Sequence, residues 1–263
     1  MKPDLRKFIL MLAPVGGKEI PSTFEVIEEA VRLRIKGVSV LHFQSISSED
    51  KQLSYNIEPY SQAIAWLRES SDILMEFPAW GTLKHSLEER VAPLVLKPDF
   101  IEIIPGSINL GDQVIYNPLS YIDFIIQVSS EVFVKPVFNV FSPSMLIYVR
   151  NLIDRGKLNP PYIFTLTFTE EYFPPTIDNL LYIYKLLPQN SKWFLSVKGK
   201  TSGSLFAVAL ELGGNIRVGL EDWCDGQDLT NERLVTEVLR IATSLGFEPA
   251  TPKETSEILG KVM

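Results

Sequence analysis

The densest group of reactive side chains in this 263-residue sequence is Arg217-Val-Gly-Leu-Glu-Asp222, a guanidinium and two adjacent carboxylates within six residues. Residues 215–221 read as a short strand, on which side chains alternate faces. Arg217, Gly219 and Glu221 are therefore expected on one side, with Asp222 at the exit into the next loop. A carboxylate beside a guanidinium has a depressed pKa and stays ionised, a state suited to taking a proton from a carbon acid. The plain alternative is a solvated strand end without chemical consequence. Gly213-Gly214 before the segment and Trp223-Cys-Asp-Gly226 after it, leading into a helix, favour a strand that delivers its polar end to the mouth of a site.

Placing such a site requires the elements around it. Runs rich in β-formers alternate with amphipathic stretches along the whole chain, the pattern of βα units and a parallel sheet. Strands are expected near residues 8–14, 37–43, 72–77, 99–105, 134–141, 162–168, 192–198 and 215–221. Helices are expected over 23–36, 59–69, 87–91, 118–129, 143–155, 175–187, 202–212 and 231–245, with a short closing helix over 253–259. Ser22 with Glu25 and Ser86 with Glu89 have capping-box spacing, and several helices begin at proline. Eight βα units with right-handed crossovers bring the last strand beside the first, so the expected fold is a (β/α)8 TIM barrel, one domain spanning residues 1–263. In such a barrel function sits at the C-terminal strand ends. The polar residues there are Lys18, Glu19, His42, Gln44, Glu76, His85, Ser107, Asn109, Asn139, Ser142, Thr167, Glu170, Lys198, Lys200, Arg217, Glu221 and Asp222.

Composition narrows the partners. A net charge of −7, from 32 acidic against 25 basic residues, argues against nucleic acid, whose backbone calls for concentrated Lys and Arg. The lone Cys224 excludes an internal disulfide and fits a reducing compartment, so a cytoplasmic protein is expected. The apolar run over residues 8–13 is far shorter than the ~20 residues that span a bilayer, and no membrane association is expected.

Taken in order, Ala13-Pro-Val-Gly-Gly17, Leu41-His-Phe-Gln44, Pro105-Gly-Ser-Ile-Asn109, Lys135-Pro136, Arg217-Val-Gly-Leu-Glu-Asp222 and the tail over 250–259 resemble the β-keto acid cleavage enzymes, the family of 3-keto-5-aminohexanoate cleavage enzyme. The resemblance implies a zinc-dependent barrel that brings a β-keto acid together with acetyl-CoA and releases acetoacetate and a new CoA ester. It further implies a metal held at the positions of His42, Gln44 and Glu221, with Arg217 as charge stabiliser and Asp222 as general base. A catalytic zinc keeps about three protein ligands and an open position, and residues two apart on a strand can share one ion. Family members are commonly oligomeric, which makes a homo-oligomer the expectation here.

The chain departs from the family pattern at several positions. Gln44 replaces a second histidine, and an amide oxygen is a poorer zinc ligand than imidazole. Val137 stands where the family has a glutamate, which would leave Arg217 one partner short. Pro78-Ala-Trp-Gly81 replaces a hydroxyl-bearing loop but keeps its glycine, so Gly81, with Ser107, Asn109 and Lys18, is a candidate substrate contact. His85 is either an exposed loop histidine or a substitute for the missing imidazole. Glu76 and Glu102 lie within apolar strands and face either inward or outward. Trp80 and Trp223 read as packing residues that could line an apolar pocket. The start of the helix over 202–212, with Lys198 and Lys200 nearby, is either an ordinary cap or a seat for a CoA phosphate. Two rival functions stand beside the leading one: a different metal-assisted reaction, and a non-catalytic barrel that binds a small acid or a partner chain.

Overall fold

Each apolar run is followed by a helix with its own start signal, and the eight runs close into one parallel barrel in the computed structural model, which describes residues 5–16, 19–111, 113–199, 203–222 and 229–261. The barrel strands are β1 (Leu10–Leu12), β2 (Val38–His42), β3 (Leu74–Pro78), β4 (Phe100–Ile103), β5 (Lys135–Val140), β6 (Tyr162–Thr169), β7 (Ser191–Lys198) and β8 (Asn215–Val218). Each pairs in parallel with its sequence neighbours, and β8 closes on β1 with Arg217 beside Met11. The outer helices are α1 (Thr23–Arg34), α2 (Ile57–Ser70), α3 (Leu87–Val91), α4 (Leu119–Glu131), α5 (Pro143–Asp154), α6 (Ile177–Leu186), α7 (Gly203–Glu211) and α8 (Asn231–Ser244). No described helix is long and apolar enough to cross a membrane.

Local chemistry explains the helix starts. Ser22 accepts from the Glu25 amide while the Glu25 side chain closes on the Ser22 amide, and Ser86 and Glu89 repeat the arrangement at α3. One stripe of each helix then turns inward: Val26, Ile27, Ala30 and Leu33 on α1, and Leu234, Val235, Val238 and Ala242 on α8, all at helical spacing. A closing helix, α9 (Pro252–Ile258), carries a third capping box and brings Ala250 and Leu259 under the barrel floor.

The barrel interior changes character over a single step of two residues. Met11, Val40, Phe100, Val137, Ile163 and Phe194 form an apolar layer with Ala250 and Leu259. Two residues further on, the same inward face carries His42, Glu76, Glu102, Asn139, Thr165 and Ser196, all buried. Because the strand period is two, a strand that starts with an inward hydrophobe presents its next inward side chain one layer higher, toward the mouth. The floor supplies packing, and the layer above it supplies polar chemistry.

The last strand is shorter than the sequence suggests. It ends at Val218, not at 221, so strand alternation does not place Glu221. A Cβ on Gly219 would lie 2.0 Å from the Ala13 carbonyl oxygen, and one on Gly16 would lie 2.1 Å from that of Leu220. The ends of β1 and β8 thus press backbone to backbone where only glycine fits. The Glu221 amide donates to the Ala13 carbonyl at 3.2 Å and fixes the turn. Gly219→Ala is expected to displace this turn and lower activity more than tenfold while the far-ultraviolet spectrum stays native. Unchanged turnover would show that the turn tolerates a methyl group.

Candidate active site

His42 ends β2, with its register partner Glu76 beside it on β3. Its Nδ1 lies 2.8 Å from Glu76 Oε1, an arrangement that holds the proton on Nδ1 and leaves the Nε2 lone pair facing the axis. Nε2 is 3.4 Å from Glu221 Oε2 and 4.0 Å from Glu102 Oε2.

Arg217, almost fully buried, ties three carboxylates together. Its Nη1 donates to Glu102 Oε1 at 2.7 Å, Nη2 to Glu221 Oε1 at 2.6 Å, and Nε to Asp222 Oδ2 at 3.0 Å. Glu102 also accepts from Asn139 Nδ2 at 2.7 Å and Trp80 Nε1 at 2.9 Å, and Thr167 Oγ1 donates to Asn139 Oδ1 at 2.6 Å. Asp222 accepts from Ser196 Oγ at 3.0 Å and Lys198 Nζ at 3.2 Å. Burial, the largest single influence on Asp222, favours the neutral acid, but Arg217 and Lys198 outweigh it and hold the carboxyl at about 2. The guanidinium is held well above its ordinary value, since burial is overcome by Asp222, Glu221 and Glu102.

The buried group of His42, Glu76 and Glu102 offers ligand atoms all within 4.8 Å of one another, so it could bind a metal ion. Hydrogen bonding shows which atoms are free to do so. Both oxygens of Glu102 are committed to Arg217, Asn139 and Trp80. Among the described residues six buried side-chain polar atoms lack a partner, and four belong to this mouth: His42 Nε2, Gln44 Oε1, Glu76 Oε2 and Glu221 Oε2. An unsatisfied buried polar atom costs about 1–3 kcal/mol, so such a group signals a missing cation. Charge agrees: among the described residues the carboxyl groups of Glu76, Glu102, Glu221 and Asp222 meet two permanent cations, Arg217 and Lys198, and the imidazole of His42, a shortfall that one divalent ion would cancel. Burial raises the Glu76 carboxyl against the pull of His42, and His42 is raised because Glu221, Glu102 and Glu76 outweigh its burial. The residues present fit a divalent metal.

The structure brings Arg217, Glu221, Asp222 and His42 together and treats the other candidates differently. Gln44 lies beyond the end of β2, not on it, with Nε2 3.5 Å from the Val15 carbonyl and Oε1 free. His85 is not brought to the cluster, which corrects its reading as a replacement imidazole: Nε2 lies 2.9 Å from the Leu53 carbonyl, Nδ1 faces Thr82, and the ring meets Tyr55 edge-on. Gly81 packs against a neighbouring side chain, since a Cβ there would lie 2.7 Å from Arg90 Nε. Ser107 and Asn109 line a rim cleft of about 570 Å³ with Val114, Leu119, Met145 and Tyr148. Lys18, Lys200, Ser202, Trp223 and Cys224 lie outside the described residues.

Three findings were not expected. Glu102 replaces the partner that Val137 denies to Arg217: the two residues sit directly opposite each other on β4 and β5, so the carboxylate comes from the neighbouring strand at the same height. Trp80 is a hydrogen-bond donor to Glu102 rather than a packing residue alone. Ser196 went unnoticed, although its spacing of two from Lys198 on β7 marks both as inward-facing.

A closed parallel barrel with an imidazole, a guanidinium and several carboxylates in its mouth has the architecture of the (β/α)8 enzymes. Among solved structures the chain resembles the type I 3-dehydroquinate dehydratase of Clostridium difficile, with a TM-score of 0.60 at 10% identity over 92% of this chain and 93% of that one. It also resembles phospho-2-dehydro-3-deoxyheptonate aldolase of Thermotoga maritima, with a TM-score of 0.59 at 16% identity over 93% of this chain and 71% of that one. These likenesses concern the fold. Residues 8–260 match the beta-keto acid cleavage enzyme family, and the chain belongs to it. The 3-keto-5-aminohexanoate cleavage enzyme of Acetoanaerobium sticklandii is 27% identical over 97% of this chain and 99% of its own. The 3-oxoadipate:acetyl-CoA acetyltransferase of Cupriavidus necator is 22% identical over 92% of this chain and 88% of its own.

Proposed function

We propose that this protein is a metal-dependent enzyme that cleaves a β-keto acid with acetyl-CoA as co-substrate, giving acetoacetate and a new acyl-CoA. The observation that carries this reading is the pair of partnerless atoms His42 Nε2 and Glu221 Oε2, 3.4 Å apart beside the Arg217–Asp222 pair. Family membership and the acetyl-CoA named for the Cupriavidus relative support the reaction type.

His42, Glu221 and Gln44 would hold the ion, with Zn²⁺ the metal that best suits imidazole and carboxylate donors. The ion would supply a Lewis acid beside the keto group of the substrate. Glu76 keeps His42 in the ligating tautomer, as outer carboxylates do at metal sites. Arg217 is fixed by three carboxylates and cannot swing, so its charge is already in place when enolate charge develops. Asp222 is ionised and takes the proton from the carbon between the keto and carboxylate groups at Oδ1, the oxygen with the longer hydrogen bonds. Ser107 and Asn109 line the neutral cleft that leaves room for the acyl chain. Lys18 and Gly81 complete the proposed substrate contacts, Gly81 by keeping the loop before α3 close to Arg90.

The test is a panel of β-keto acids supplied with acetyl-CoA to zinc-loaded protein, followed by acetoacetate release. Release with at least one acid is expected. Metal binding without release would point to a different metal-assisted reaction, and absence of both to a small-acid or partner-binding barrel.

A further inference from the structure

We infer that Lys198 anchors the substrate's carboxylate, an assignment that rests on the proposed keto acid reading and names the residue that recognises the acid group. A β-keto acid carries its negative charge two carbons from the keto carbon, so a site that holds the keto group near His42 and Glu221 needs a cation one short step away. The described residues offer two. Arg217 is 1% exposed, and four of its five N–H donors are engaged by Glu102, Glu221 and Asp222. Three carboxylates already share its charge.

Lys198 differs on each point. It ends β7 on the inward face, its side chain is 19% exposed, and among the described residues its hydrogen bonds are to Asp222 Oδ1 at 3.2 Å and, at 3.5 Å, the Glu221 carbonyl. An ammonium group has three N–H donors, so at least one remains for an incoming oxygen. Its Nζ is 3.8 Å from Glu221 Oε1, and the other oxygen of that carboxylate faces His42 Nε2. Lys198 therefore stands one carboxylate's width from the place proposed for the keto group. Seating a carboxylate there also draws a hydrogen bond from Asp222 Oδ1 and opens that oxygen toward the substrate carbon.

Acetoacetate and its uncharged isostere acetoacetamide separate this role from a purely structural one. Binding of each to zinc-supplied protein is measured by titration calorimetry for the wild type and for Lys198→Gln, Lys198→Met and Lys198→Arg. The wild type is expected to prefer acetoacetate. Lys198→Gln and Lys198→Met are expected to weaken acetoacetate roughly 10–100-fold, the effect of losing a charge-assisted hydrogen bond, while acetoacetamide binding changes less than threefold. Lys198→Arg retains most of the preference. Equal loss of both ligands would make Lys198 a structural counter-ion and overturn the proposal, as would an unchanged preference in Lys198→Gln. A wild type that binds both ligands equally overturns it without any variant, which covers the case of variants that fail to fold. A wild type that binds neither ligand sinks the keto acid reading itself, and the anchor with it.

Discussion

Protein prepared with zinc supplied is expected to carry about one equivalent of metal, and Glu221→Ala to lose both the metal and acetoacetate release. Loss of an outer partner at a metal site costs roughly 10–100-fold in affinity, and loss of a direct ligand should exceed that. Because Glu221 also accepts from Arg217, Glu221→Gln is the companion variant: its amide oxygen can still accept that hydrogen bond, while the donor for the ion is weakened. Gln44→His should move the other way and tighten zinc, since imidazole replaces a neutral amide whose Oε1 now has no partner. Metal content by mass spectrometry and competition with a chelating dye give both results. A Glu221→Ala protein that binds metal as well as the wild type would remove Glu221 from the ligand set.

The largest effect on stability is expected at Arg217. Arg217→Met removes the shared counter-charge of Glu102 and Asp222, both buried, and stranding a buried charge of this kind typically costs about 3–5 kcal/mol. Glu102→Gln should cost less, because an amide can still accept from Arg217 although it conflicts with one neighbouring donor. In the double variant the stranded charge on Glu102 is gone, so the combined loss should fall short of the sum by about 0.5–3 kcal/mol, the range for directly coupled residues. Denaturant midpoints on metal-free protein measure all three. Strict additivity would mean that Glu102 and Arg217 do not sense each other.

Much of this was legible in the sequence because the barrel repeats one local rule. Strand period, capping boxes and helix-starting prolines are short-range signals, and the barrel strands and helices appear where those signals placed them, with ends shifted by a few residues. The site was legible where its members are close in sequence, as in Arg217, Glu221 and Asp222, although the reason for their convergence was misread. Gly219 turns the chain because β1 leaves no room for a side chain, a contact between residues two hundred positions apart. The inward direction of Glu102 was open for the same reason. A single inward glutamate in an apolar strand needs a partner, and that partner, Arg217, is 115 residues away. The choice between the two readings of His85 stayed open because rim position alone could not show that a backbone carbonyl holds its ring.

Val137 and Glu102 face each other across one rung of the sheet. The resemblance places an acid at the Val137 position, whereas the carboxylate that meets Arg217 here comes from the adjacent stave at the same rung. In a closed cylinder of parallel strands, a place in the mouth is defined by a height and an angle around the axis, and any strand passing that point can furnish the group. A search for this charge arrangement that requires an acid at the β5 position would pass over this chain, whereas a search for a carboxylate within reach of the arginine would keep it.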